Sequence, residues 1–331
     1  MPIINYMRKI AIIGVGNIGS RHLQALKAVK NPLNINVIDP NPDSLDIAKN
    51  RYNTFQNIGN EHQISYSNNI SDISKEIEIA IIATSSLVRR DVIEKLLHHT
   101  KVKFMILEKV LFQKEEDYYF IQDLLSSSNC LCWINCTRRI IPVYQYTIKN
   151  WFEKKKIYYS LSGSNFDLIT NIIHHIDYMA YILESTEFNV DTSYLNPALI
   201  PSKRANFLEL EGILQIHFEN GSHGIFSCNS SGDLPEILII DSDTNRCVIN
   251  QKNPFSFKWD NETETKWKSI DAKLHYTSEL TTQIVENLLN NEQCNLTSYE
   301  ESMEIHLNLL KPLLIFINKF SEKKFDYYPF T

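Results

Sequence analysis

The chain has little of what would place it outside the ordinary globular class. Six cysteines in 331 residues, Cys130, Cys132, Cys136, Cys228, Cys247 and Cys294, do not make a disulfide framework, and reduced thiols are the default. The spacing Cys130-x-Cys132-x-x-x-Cys136 is wrong for a zinc knuckle and runs into a strand-like segment, so no metal site is expected. No stretch approaches the ~18 apolar residues of a membrane span, and the first apolar run is cut by glycines, which reads against a signal peptide. Basic blocks are missing too. The formal charge is −6, and Lys154-Lys155-Lys156 is too short to make nucleic acid or an anionic membrane surface the main partner. Internal repeats and low-complexity linkers are absent. What remains, at 43% hydrophobic and 22% charged residues, is the composition of a soluble protein with a substantial core, and the length suggests two domains. The expected location is the cytoplasm.

Glycine is also sparse, with nine residues, yet three of them fall in Gly14-Val15-Gly16-Asn17-Ile18-Gly19, directly after the apolar run Ile10–Ile13. A short strand that enters G-x-G-x-x-G and continues into a helical pattern reads as the phosphate-binding turn of a dinucleotide fold. Gly14 would permit the tight turn, Gly16 the approach of a pyrophosphate, and Gly19 close packing of helix on strand. The N–H groups of Asn17 and Ile18 would open the helix toward the anion. Ile18, Leu23, Leu26 and Val29 share one side of that helix. The next apolar run, Ile35–Ile38, ends in Asp39, twenty residues beyond Gly19. An acid there can accept hydrogen bonds from the adenosine ribose hydroxyls and would repel a 2′-phosphate, so NAD is expected over NADP.

Further strands are expected at Ile77–Ile82, Lys103–Leu107 and Cys130–Asn135, alternating with helices at 44–52, 89–98 and 115–125, with an irregular polar region after Tyr52. Such alternation implies a doubly wound parallel sheet, whose ligands lie at the carboxyl ends of the strands. Gly14, Asp39, Thr84 with Ser85, and Glu108 with Lys109 all come directly after strands. Beyond about residue 150 the rhythm changes to strand-like segments at 157–162, 207–218, 224–228, 236–241 and 247–250, interrupted by a helix at 170–183 and closed by helices at 280–289 and 299–317. The expected fold is therefore α/β: an N-terminal Rossmann doubly wound parallel sheet over residues 1–135, then a C-terminal α+β domain over 136–331 with a large, mainly antiparallel open sheet. The last helices are candidates to pack back on the first domain.

Two groups could handle a proton. Lys109 ends a strand, where a lysine is either a desolvated base near a cationic cofactor ring or a solvated surface residue. On the helix at 170–183, Asn171, His174, His175, Asp177 and Tyr178 gather on one face. That face reads as a substrate-binding surface with His174 in it, its tautomer fixed by Asp177 one turn on, or as a set of loop caps. Arg138, Arg139, Lys203 and Arg204 could bind a phosphate or carboxylate, or form surface ion pairs.

These residues together resemble the Gfo/Idh/MocA oxidoreductases, the glucose-fructose oxidoreductase and inositol dehydrogenase group, along nearly the whole chain. The matching residues are Gly14-x-Gly16-x-x-Gly19 with His22, Ala83-Thr84, Glu108-Lys109, Arg139-x-x-Pro142, His174-x-x-Asp177, and Glu300-Glu301 with His306. The resemblance implies that Lys109 is the active-site lysine of a Glu-Lys-Pro motif and His174 the histidine beside the substrate hydroxyl. It also implies a C-terminal sheet that supports homodimers or homotetramers. The segment 161–171 together with Asn135–Arg139 looks like a bacterial branch associated with surface-polysaccharide sugars. Three departures stand out: Val110 replaces the proline after the lysine, Ser85, Ser86 and Arg89 replace two prolines and a histidine, and Thr170 replaces the acid four residues before His174. The expected activity is hydride transfer between nicotinamide and a carbinol or keto carbon of a sugar, polyol or sugar nucleotide. The alternative is a catalytically degenerate NAD-binding sensor or assembly protein. A short-chain dehydrogenase is disfavoured, because none of the sixteen tyrosines has a lysine four residues later.

Overall fold

The structure, a computed structural model, describes residues 7–54, 62–251, 256–260, 267–271 and 277–331. The chain divides into two compact units, one of residues 1–137 and 275–299, the other of 138–274 and 300–331. Residues 275–299, late in the sequence, therefore belong with the first unit.

In the first unit the chain runs through β1 (Arg8–Ile13), α1 (Asn17–Leu26), β2 (Leu33–Ile38), α2 (Pro42–Thr54), β3 (Gln63–Ser67), β4 (Glu76–Ile82), α3 (Ser86–His99), β5 (Lys101–Leu107), α4 (Glu115–Ser127) and β6 (Leu131–Ile134). The strands pair in parallel in the order β6-β5-β4-β1-β2-β3. Ile10–Ile13 and Ile79–Ile82 are buried on both faces, as a parallel sheet between helical layers requires. Register aligns the strand ends. Ile13 lies opposite Ile38 and Ile82, Ile82 opposite Leu107, and Leu107 opposite Ile134. The residues just after these therefore share the carboxyl edge, and backbone bonds extend the ladder there: Gly14 N–H to Ile38 at 2.8 Å, Ala83 to Ile13 at 2.8 Å, Glu108 to Ile82 at 3.0 Å and Asn135 to Leu107 at 2.8 Å. The strand order reverses at β1 and β4, which puts Gly14 and Thr84 at the switch point. The polar region after Tyr52 contains β3, whose alternation Gln63-Ile64-Ser65-Tyr66-Ser67 marks a partly exposed edge strand, while residues 55–61 of that region lie outside the described residues.

The second unit contains helix α5 (Lys149–Phe152), β7 (Tyr158–Ser164), α6 (Leu168–Leu183), β8 (Phe188–Leu195), β9 (Ile200–Pro201), β10 (Leu208–Glu209), β11 (Gly212–Phe218), β12 (His223–Asn229), β13 (Ile237–Asp241), β14 (Asn245–Asn250), β15 (Ser256–Asp260) and β16 (Trp267–Ser269). Eight strands form a sheet in the order β16-β15-β14-β13-β7-β12-β11-β8, antiparallel except for β12 against β7. The single strand expected over 207–218 is broken in two. Gly212, at φ +109, opens the second piece, and a Cβ there would stand 2.7 Å from the Tyr194 carbonyl oxygen. Helix α6 packs toward β12.

Three late elements complete the chain: α7 (Thr277–Asn291), which packs on α1, the two-residue β17 (Thr297–Ser298), which adds an antiparallel edge to β6, and α8 (Tyr299–Phe320). Helix α8 runs through Pro312 unbroken. The tail beyond it docks in the second unit, where the Leu208 N–H donates to Pro329 at 2.8 Å and Phe330 is buried. Among the described residues no helix is long and apolar enough to cross a membrane.

Candidate active site

Two parts can be built from the residues, one in each unit. In the first, β1 delivers the chain into Gly14, at φ +83. A Cβ at Gly19 would stand 1.8 Å from the Gly14 carbonyl oxygen, so α1 presses directly on the turn. At Gly16 a Cβ would meet nothing within 4 Å. Gly16 also occupies the cap position of α1 and offers no side-chain cap to the first-turn N–H groups, which leaves Asn17 and Ile18 at an anion-favouring helix end. The Asp39 carboxylate closes this turn from the side. Its oxygens accept the N–H groups of Val15 at 2.7 Å and Asn41 at 2.9 Å, and Asp39 is only 8% exposed. Farther along the same edge, the Thr84 hydroxyl and the Asn135 amide oxygen are buried polar atoms with no hydrogen-bond partner. Buried polar groups are rarely left so, and an open glycine cradle with waiting polar atoms fits a dinucleotide.

Glu108 is an anchor on that edge. His22 on α1 donates from Nε2 to its Oε1 at 2.9 Å, the Asn135 amide donates to the same oxygen at 2.6 Å, and Nδ1 of His22 meets the Thr281 hydroxyl of α7 at 2.8 Å. Burial pushes the Glu108 carboxyl up, but His22, Asn135 and the Lys109 charge outweigh it and bring it down to about 2. The carboxylate is thus ionised and directed at protein donors, while the next residue, Lys109, is half-buried at the strand end. The Lys109–Val110 peptide bond is cis. Arg89, fully buried on α3, ties this loop to its neighbour by donating to the carbonyls of Val110, Thr84 and, at 2.8 Å, Leu111. Arg89 therefore acts as a clamp between the loops that carry Thr84 and Lys109.

In the second unit α6 carries the candidates. The expected polar face is split. Thr170, Asn171 and His174 are half-buried, whereas His175, Asp177 and Tyr178 lie inside the unit. Asp177, 1% exposed, receives Arg139 Nε at 2.8 Å and Nη2 at 3.0 Å, and Arg139 reaches on to Glu301 of α8 at 2.7 and 3.2 Å. These two carboxylates raise the guanidinium's affinity for its proton against the burial that lowers it. Both Asp177 oxygens are thus engaged by the Arg139 fork. His175 meets Arg138 Nη2 at 2.7 Å through Nε2 and the Tyr159 hydroxyl at 2.6 Å through Nδ1. Arg138 can only donate, so Nε2 accepts and the proton sits on Nδ1. Burial and the Arg138 charge hold His175 well below the usual imidazole range, hence neutral. Asn171 turns its amide back onto the carbonyls of Phe166 and Asp167. Lys203 pairs with Asp167 at 2.9 Å, the surface ion pair allowed for it.

One residue was not foreseen. Glu209, on β10, is 1% exposed and accepts the N–H groups of Ile169 at 2.8 Å and Thr170 at 3.1 Å and the Thr170 hydroxyl. The only sequence signal was an acid set between Leu208 and Leu210 in a run otherwise read as strand.

Residues 8–136 match the oxidoreductase family described by an NAD-binding Rossmann fold, Gfo/Idh/MocA. Comparison by sequence with curated proteins gave no match. Among solved structures, the chain is similar to levoglucosan dehydrogenase in complex with NADH, with a TM-score of 0.73 at 14% identity, covering 98% of this chain and 100% of that one. It is likewise similar to UDP-N-acetylglucosamine 3-dehydrogenase from Acidithiobacillus ferrooxidans, at 0.73 and 12%, over 92% and 96% of the two chains. A third is biliverdin reductase from Synechocystis in complex with biliverdin and NADP+, at 0.67 and 11%, over 90% and 95%. At these identities the likeness concerns the fold. The protein is an NAD(P)-binding oxidoreductase by fold and by its nucleotide turn. Its residues 8–136 carry the NAD-binding Rossmann domain by which the Gfo/Idh/MocA oxidoreductase family is described.

Proposed function

We infer that the protein is an NAD-dependent dehydrogenase or reductase that acts on a carbinol or keto carbon of a sugar, polyol or sugar nucleotide, in the line of surface-polysaccharide sugar synthesis. The observation that supports it most is the alignment of the Gly14–Gly19 turn, Asp39, Thr84 and Lys109 along one carboxyl edge. When bound there, the nicotinamide cofactor supplies the hydride acceptor or donor. Gly14, Gly16, Asn17, Ile18 and Gly19 hold its phosphates, Asp39 its adenosine ribose, and Thr84, Ser85 and the backbone at Glu108 and Lys109 flank it. Asp39 repels a 2′-phosphate, which favours NAD over NADP. Lys109 and His174 are the two groups given the hydroxyl proton. Asp177, Arg139 and His175 act behind His174 by fixing α6 and do not themselves contact substrate, and Asn171 shapes the loop before the helix. A homodimer or homotetramer in the cytoplasm is part of the same proposal, for sizing by light scattering.

The degenerate sensor or assembly protein is the second reading, favoured by the capture of Asp177, Arg139, His175 and Asn171 in internal bonds. Both readings require NADH binding. Lys109→Ala separates them. The enzyme reading expects a loss of at least about a hundredfold in kcat on a responsive sugar or nucleotide sugar, with NADH affinity unchanged within about threefold. No cofactor oxidation or reduction by wild-type protein across a broad panel of both classes would overturn it, and tighter binding of NADPH than NADH would overturn the role given to Asp39.

A further inference from the structure

Glu209 is a buried carboxylate that the proposed reaction does not use. Three donors converge on it from the first turn of α6, the N–H groups of Ile169 and Thr170 and the Thr170 hydroxyl. A helix leaves these first N–H groups without intrahelical partners, and its dipole favours a negative charge beside them. The residue at the helix's own cap position, Asp167, makes no side-chain cap bond. The acceptor comes instead from a strand 39 to 40 positions away.

Thr170 and His174 stand four residues apart, on the same face of α6 and about 6 Å along its axis. Both are half-buried, while Ile172, Ile173 and His175 around them are covered. Position 170 has no carboxylate of its own, so the charge on this stretch of the helix face comes through space from Glu209. We propose that Glu209 is a positioning residue for His174: bound to Thr170, its carboxylate fixes the first turn of α6 and favours the protonated imidazole one turn on. The proposal rests on the reading of His174 as a proton-handling group and deepens it. The other titratable groups that bear on the pair are Asp167, neutralised by Lys203 on the loops beside α6, His175 on α6 itself, and the Cys228 thiol on β12. Burial outweighs the three donors and raises Glu209 to about 7, so its charge changes in the range where an ordinary histidine also titrates.

The test needs no substrate. Full-length wild-type protein, Glu209→Gln, and Glu209→Gln with Thr170→Asp are titrated by NMR of labelled histidine Cε1, with His174→Asn to assign the signal. A carboxylate one turn away shifts an imidazole by about half to one pH unit. The His174 midpoint is expected to fall by that amount in Glu209→Gln and to return in the double variant, which puts an acid back on the same helix face. A midpoint unmoved in folded Glu209→Gln, or a fall that Thr170→Asp does not reverse, overturns the proposal and leaves Glu209 a cap. If Glu209→Gln fails to fold, Thr170→Val cuts the hydroxyl link and must lower the midpoint, and no change there overturns the proposal. In turnover assays the acidic limb of kcat/KM moves to lower pH with the midpoint. A shifted midpoint in a protein that turns over no sugar supports the coupling while refuting the enzyme reading.

Discussion

Gly16 and Gly19 lie three residues apart in one motif, yet alanine at the two positions should fail in opposite ways. At Gly19 the new Cβ would be 1.8 Å from the Gly14 carbonyl oxygen and 3.3 Å from the Ala83 Cβ. Real Cβ contacts begin at about 3.0 Å, so the turn and α1 must part by roughly 1.2 Å, the difference between 3.0 and 1.8. The atom in the way is backbone, held by the Gly14 N–H bond to Ile38, and cannot swing aside. Forced overpacking of this kind costs about 1–3 kcal/mol. For a unit of this size that lowers Tm by roughly 3–10 °C. At Gly16 a Cβ meets nothing within 4 Å. The apo protein loses only the few tenths to ~1 kcal/mol by which glycine exceeds alanine at a helix N-cap, about 2 °C. If the space before Gly16 receives a pyrophosphate, the same methyl displaces it, and NADH affinity should fall at least about tenfold, or ~1.4 kcal/mol. Differential scanning fluorimetry with and without NADH, and titration of NADH by tryptophan quenching, read both effects. Gly16→Ala protein that binds NADH like wild type, or Gly19→Ala protein as stable as wild type, would refute the reasoning.

Asp177→Ala leaves the Arg139 guanidinium buried with Glu301 as its remaining carboxylate; breaking a buried pair costs ~3–5 kcal/mol, and the surviving partner trims this to about 2–3 kcal/mol. A urea titration in which the unfolding free energy falls by less than about 0.5 kcal/mol, at constant slope, would contradict that account. Glu108 gives a pH dependence with a definite sign. Its carboxyl is held down from 4.5 to about 2 in the folded protein, so its contribution of about 3 kcal/mol is complete above pH 4.5 and is lost as pH falls through 4.5 toward 2. Glu108→Gln should flatten the acid limb of a stability curve in that window, and an unchanged limb would show that other groups carry it.

The first unit was readable because its central strands are buried on both faces. Ile10–Ile13, Ile79–Ile82 and Phe104–Leu107 are apolar runs that end in glycine, alanine or acid, and their alternation with helices implies a parallel sheet. Two of the strands missed, β3 and β8, lie at sheet edges, where half the side chains face water and the apolar signal is halved. Periodicity grouped His175, Asp177 and Tyr178 with His174 because it reports polarity around a helix. It does not report whether the polar groups meet water or, as here, Arg138, Arg139 and Tyr159. Glu209 was out of reach for a different reason. Its importance comes from two backbone amides and a hydroxyl that only the folded chain brings to it.

The contact between Asp39 and the Val15 N–H has an evolutionary side. The acid that would discriminate between coenzymes is also a structural strut of the turn that grips them. Redesign toward a phosphorylated coenzyme by changing Asp39 alone therefore removes an internal acceptor before any new preference is gained, and leaves a main-chain donor bare at 2.7 Å from where the carboxylate stood. If Asp39 sets coenzyme choice, that choice is tied to loop integrity, and a successful switch must bring a second residue able to take over the Val15 amide.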